Sequence, residues 1–178
     1  ITSPANGTYY NPGDDILIEA SASDGDGDGT VTKVEFYEGL TLLGEDVTEP
    51  YSFPFDDVLE GTYVFRAKAT DPNDATRTSG SVTVYVGTPE LSVVNVSPSS
   101  ATIETGTMQQ FSASGLDQFG QPFPADVDWS ADSGGVIDEN GLFVAVDLGG
   151  THTITATDSA SGTISATASV TIEAGGVC

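Results

Sequence analysis

Basic residues are scarce: four lysines and arginines stand against 27 aspartates and glutamates, a formal charge of −23 over 178 residues. The excess is shared, net −12 over residues 1–87 and net −11 over residues 88–178, where no base occurs. Such a chain repels nucleic acid and anionic membrane, so neither is an expected partner. Cysteine is scarcer still. Its one copy, Cys178, is the last residue, so no disulfide can close within the sequence, and it reads as the start of a following module rather than as a reactive thiol. The single histidine, His152, excludes a histidine-rich metal site. No apolar run approaches the roughly 18 residues of a membrane span, and no basic leader precedes an apolar stretch. With no initiator Met either, the sequence reads as an internal, soluble piece. Also missing are a Gly-x-Ser-x-Gly elbow, a phosphate loop, a zinc-ligand pair and a cysteine with a partner histidine. Two small domains leave little room for the opposed carboxylates of a glycosidase cleft. The piece itself is not expected to be an enzyme.

What is present is enough apolar residue, 38%, to build two small cores. Apolar and polar residues alternate with period two in Ile16-Leu17-Ile18-Glu19-Ala20, Thr32-Lys33-Val34-Glu35-Phe36, Tyr63-Val64-Phe65-Arg66-Ala67 and Ser81-Val82-Thr83-Val84-Tyr85, the pattern of half-buried strands. A second set follows Gly87-Thr88-Pro89-Glu90: residues 91–96, 108–113, 127–129, 142–144, 152–157 and 165–172. Gly, Pro, Asp and Asn punctuate the chain at turn spacing, and no window carries a capped helical stripe. The expected class is all-β: two tandem antiparallel sandwiches of about seven strands each, over residues 1–87 and 88–174, with a tail at 175–178. The Pro-stiffened joint predicts limited motion between them.

The first half resembles a bacterial Ig-like module common in secreted polysaccharide-degrading enzymes. The resemblance rests on Ile1-Thr2-Ser3-Pro4-Ala5-Asn6-Gly7, Val34-Glu35-Phe36-Tyr37-Glu38-Gly39, Gly61-Thr62-Tyr63 and Ala67-Lys68-Ala69-Thr70-Asp71, and covers residues 1–86. The second half resembles the bacterial Ig-like group 2 family through Val96-Ser97-Pro98-Ser99-Ser100-Ala101, Gln110-Phe111-Ser112-Ala113, Val127-Asp128-Trp129-Ser130, residues 137–143 and Ala168-Ser169-Val170-Thr171-Ile172. Both imply immunoglobulin-like sandwiches. In that fold a Tyr near the start of strand F stands two residues before a core position, and Tyr63 before Phe65 fits. His152 occupies the equivalent corner of the second half and reads as structural. Trp129 is a ring of the kind that stacks on pyranose sugars, but the strand face it shares with Val127 gives it the strand-C core position, and Tyr51, Phe53 and Phe55 share a core face in the first half.

One constellation carries chemistry. Asp24-Gly25-Asp26-Gly27-Asp28-Gly29-Thr30 sets three carboxylates at alternate positions with glycines that let the backbone curl, an arrangement suited to calcium. Counting on to Glu35 completes an EF-hand loop pattern, but the flanks read as strands, so the helix pair of an EF-hand is excluded. In an Ig sandwich the B-C and F-G loops share one end. Asp71, Asn73 and Asp74 can therefore join Asp24, Asp26, Asp28 and the Thr30 carbonyl around one calcium ion. The related family carries a shorter Asp-x-Asp-Gly loop here, which leaves open whether Glu35 or the Asp71/Asp74 pair completes the site. Asp117 and Asp158 occupy the corresponding end of the second half and are too few to hold a metal. Lys33 and Lys68 alternate with inward residues and point outward, against an isopeptide bond of the kind found in some adhesins.

The expected function is that of non-catalytic spacer modules in a secreted, multimodular, glycoside hydrolase-associated bacterial protein, monomeric, extracellular or on the cell surface. Their partners would be neighbouring modules of the same polypeptide. Two alternatives stand beside it: direct binding of polysaccharide through exposed Tyr9, Tyr10 or Tyr37, with Phe119 a further exposed ring, and a cell-surface adhesin stalk.

Overall fold

The computed structural model describes residues 1–23, 31–146 and 149–174. The chain divides into two compact units, Ile1–Thr88 and Pro89–Cys178. Among the described residues there is no helix, so none crosses a membrane as a long apolar helix.

The first unit carries β1 (Thr8–Tyr10), β2 (Ile16–Ala20), β3 (Lys33–Glu38), β4 (Thr41–Asp46), β5 (Tyr51–Phe55), β6 (Gly61–Thr70), β7 (Thr76–Thr78) and β8 (Val82–Val86). Its larger sheet runs β1-β8-β6-β3-β4, with β7 also paired to β6, and β2 pairs β5 opposite. β1 lies parallel to β8 while the other pairs are antiparallel. The period-two pattern decides what is buried. Ile16 and Ile18 from one sheet meet Val34, Phe36, Phe65, Val84 and Val86 from the other, all almost fully buried, and burial of such side chains is the main favourable term in folding. Phe55 stands edge-on to Phe65 and to Tyr63, each with ring centres 5.3 Å apart. The hydroxyl of Tyr63 donates to the Leu59 carbonyl at 2.9 Å. This ties the start of β6 to the loop before it, in the manner of an immunoglobulin tyrosine corner.

The second unit carries β9 (Leu91–Ser97), β10 (Ser100–Glu104), β11 (Met108–Gln110), β12 (Ser112–Asp117), β13 (Pro122–Phe123), β14 (Val127–Ala131), β15 (Gly135–Ile137), β16 (Leu142–Ala145), β17 (Gly150–Asp158) and β18 (Ser165–Glu173). One sheet runs β10-β18-β17-β14; the rest form β11-β16-β15 and β13-β12-β9. Phe111, Phe143, Ile154, Val170 and Ile172 make the core. Strands exceed the expected seven partly because segments are divided between sheets. β9 pairs antiparallel with β12, then the chain crosses and β10 pairs parallel with β18. Phe111, fully buried, separates β11 from β12.

Candidate functional site

The strand ends that frame the acidic loop meet the F-G turn directly. Thr32 donates its backbone N–H and its hydroxyl to the Thr70 carbonyl, at 2.8 and 2.7 Å. Ser23, Val31, Thr70, Asp71 and Ala75 line one cavity of about 480 Å³. Asp24, Asp26, Asp28 and Thr30 themselves lie outside the described residues. Of the proposed partners, Asp71 uses one carboxylate oxygen on its own turn, accepting the N–H groups of Asn73 at 2.8 Å and Ala75 at 2.9 Å. Asp74 closes that turn in a left-handed backbone conformation, φ 63°, one that Asp tolerates better than most residues. Among the described residues no three acidic, histidine or cysteine side chains form a metal-holding group. One observation nevertheless fits a ligand at this end. The Thr70 hydroxyl is buried with no hydrogen-bond partner, and a buried oxygen left this way is costly unless water or an ion satisfies it.

Glu35 has a different occupation. It sits on the outer face of β3, buried to 9% exposure, with Lys68 Nζ at 3.0 Å and Lys33 Nζ at 3.5 Å from its two oxygens. Lys33 reaches on to Glu45 at 2.8 Å. The hydrogen bond from Lys68, ahead of the nearby positive charges, holds the Glu35 carboxyl below the usual glutamate range. Engaged with two lysines, Glu35 is a strut of the sheet surface and not a spare metal ligand. Both lysines point outward, as the strand alternation requires.

Several other acids are turn caps. Asp117 accepts the N–H groups of Phe119 and Gln121, and Asp138 those of Asn140 and Leu142. With Asp71 they share one spacing, the carboxylate taking the amides two and four residues on, which satisfies backbone donors that the turn leaves unpaired. Asp158, 7% exposed, accepts the Ser161 N–H at 2.7 Å. Its carboxyl is held below the usual range first by the Ser161 side chain and then by that amide.

The tyrosines do not form a row. Tyr9 is 38% exposed and lies against Tyr85, ring centres 5.1 Å apart. Tyr10, one residue on, faces the opposite side of the strand and packs against the core. Tyr37 is half-buried beside Arg66 on the neighbouring strand, and Phe119 is half-buried too. His152 is a packed corner residue: its side chain is 11% exposed, with Nδ1 2.9 Å from Ser133 Oγ. Trp129 packs against the second core, as its strand face requires, and is half-buried there; alternation shows which face a ring takes and not how far that face is covered.

The opposed sheets of each unit, the parallel pairing of an early strand with the last one (β1 with β8, β10 with β18) and, in the first unit, the tyrosine corner define two immunoglobulin-like sandwiches in tandem. Residues 1–67 match the family described as bacterial Ig domain, which places the first unit among bacterial Ig-like modules. That match ends within β6, leaving residues 68–178 outside it. Among solved structures the chain is similar to fibronectin(III)-like modules of CbhA from Clostridium thermocellum, at 33% identity over 48% of this chain and 90% of that one, TM-score 0.45. It is also similar to domains 4 and 5 of the S-layer protein SbsC, at 21% identity over 67% and 69%, TM-score 0.43. The Drosophila N-cadherin repeats EC1-4 align at 13% identity over 97% and 48%, TM-score 0.42. No curated protein matches the chain.

Proposed function

We propose that this chain is a pair of non-catalytic spacer modules in a secreted, multimodular bacterial protein that acts on polysaccharide, with the loop end of the first module stabilised by calcium. The observation that supports the calcium part most directly is the buried, unpartnered Thr70 hydroxyl. Thr70 lines the same cavity as Asp71 and as Ser23 and Val31, the residues on either side of the acidic segment. Asp24, Asp26 and Asp28, the Thr30 carbonyl and the remaining oxygens of Asp71, Asn73 and Asp74 are the donors for the ion. Hard oxygen ligands of this kind suit calcium. The spacer part is supported by the acids themselves. Those at turn ends serve as caps and Glu35 as a surface strut, roles that build rigid sandwiches rather than a catalytic centre.

Calorimetric melting in calcium and in EDTA tests this, since a ligand bound only by the folded state raises the melting point by mass action. A calcium-dependent rise that is lost in Asp26→Ala is the expected result. Identical melts would remove calcium from the proposal. Small-angle scattering tests the spacer: a narrow distribution of distances between the modules is expected, and a broad one would refute it.

A further inference from the structure

The sheet β11-β16-β15 of the second module turns one face to its core and the other to solvent. Phe143 and Ala145 are almost fully buried and Ile137 packs against the core, so alternation sends Met108, Val136, Leu142 and Val144 outward. The register sets them in a row: Val144 stands directly between Met108 on β11 and Val136 on β15. Leu142 lies two residues before Val144 and Val146 two residues after it. Met108, Val136 and Val146 are 63%, 64% and 61% exposed, while Leu142 and Val144, on the middle strand, are half-buried. Among the outward positions of these three strands only Gln110 is polar. A solvated sheet face ordinarily carries polar side chains, as β3 and β6 do with Lys33, Glu35 and Lys68. Here aliphatic side chains and a thioether replace them, and a contiguous apolar patch of this kind marks an interaction site.

The surroundings of the patch say what fits it. Asp138 and Glu139 follow β15 at one end of the strands; Glu104 and Asp132 precede β11 and β15 at the other, and all four are exposed. Residues 88–178 contain no lysine or arginine to neutralise them. Two copies meeting through this face would set these carboxylates against each other, and like charges brought together at an interface oppose association. The patch is also small, a few hundred Å² at most against the roughly 800 Å² per partner of a standard interface, so apolar burial alone would not hold such a pair. A sugar would find no ring here to stack on. The complement is a protein surface that is apolar at its centre and basic around it: the centre supplies burial, and the basic rim supplies steering and charge pairing. Met108, unbranched and polarizable, can adapt its shape to such a partner.

We propose that the outer face of β11, β15 and β16 docks a protein surface with an apolar centre and a rim of lysine and arginine. A spacer needs no such contact, so this goes beyond the function proposed above, and the two can fail separately.

Three labelled peptides serve as probes: one alternating leucine with lysine, an oligolysine of equal charge, and one alternating leucine with glutamate. Fluorescence anisotropy against the whole chain is expected to show the leucine–lysine peptide binding about tenfold or more tighter than oligolysine, a gain that burial of one aliphatic side chain can supply. The leucine–glutamate peptide should not bind. Oligolysine controls for the attraction that any basic peptide feels toward so acidic a chain. Met108→Gln combined with Val136→Thr, both at exposed positions, should bring the leucine–lysine peptide down to the oligolysine level while the chain melts as before. Equal binding of the two basic peptides, or a double variant that keeps the preference, would overturn the proposal. So would sedimentation in which the native chain pairs with itself and the double variant does not, since the occupant would then be a second copy. None of these results bears on the spacing measured by scattering.

Discussion

Replacing Glu35 by Gln keeps its shape and removes its charge. In the native sheet the carboxylate is nearly buried while Lys68 and Lys33 are each about one-third exposed. Hydrogen bonds to charged groups contribute roughly 1.5–3 kcal/mol when sheltered, and exposed ion pairs contribute less than about 1. The half-open Lys68 contact falls between these, so the substitution should cost about 1 kcal/mol at neutral pH. For a module of this size that is a fall of roughly 4–8 °C in Tm, confined to the first module. The pH dependence sharpens the test. The folded-state pKa of Glu35 is lowered from the model-compound value of 4.5, so its contribution is complete above that value. It fades as pH falls through the lower, folded-state value, where the native carboxylate takes up a proton. Urea or thermal melts of the native chain and the variant should therefore differ at pH 7 and converge as acid protonates the native carboxylate, and salt should narrow the gap at pH 7. A difference that does not shrink on acidification, or none at pH 7, would refute the strut role and return Glu35 to the pool of free carboxylates.

Phe65→Ala removes a fully buried ring that meets Phe55 edge-on and should cost about 3–5 kcal/mol, seen in calorimetry as loss of the first module's transition with the second retained; a loss under about 1 kcal/mol would contradict the core assignment. Gly141→Ala must adopt φ near 80° and press a methyl group toward the Phe111 carbonyl and Trp129. A cost of about 2–4 kcal/mol in the second module, with a shift in tryptophan emission, is the expected outcome.

The all-β class, the division near residue 88 and the identity of most core residues are legible in the sequence because they follow from a local rule: side chains alternate across a strand. Ile16 and Ile18, Val34 and Phe36, and Val84 and Val86 are buried as their period-two spacing requires. Tyr63 could be placed for the same reason, since a corner tyrosine depends on a short run of neighbours. The short strands β1, β7, β13 and β15, of two or three residues each, carry too few alternating residues to show in a pattern. They exist because a longer neighbour offers them a hydrogen-bonding edge.

What the acids do is a matter of distance across the fold. Asp71, Asp117 and Asp138 look alike in sequence to any surface carboxylate, and only the turns bring backbone amides within 3 Å of them. Glu35 completes a calcium-loop spacing on paper, yet antiparallel pairing of β3 with β6 sets it opposite Lys68, 33 residues away along the chain. Tyr10 and Trp129 make the same point from the apolar side. Alternation assigns each ring to a face. How much of that face is covered depends on which strand ends the sheet and on whether a glycine lies opposite, and both are decided by packing between segments far apart in the chain.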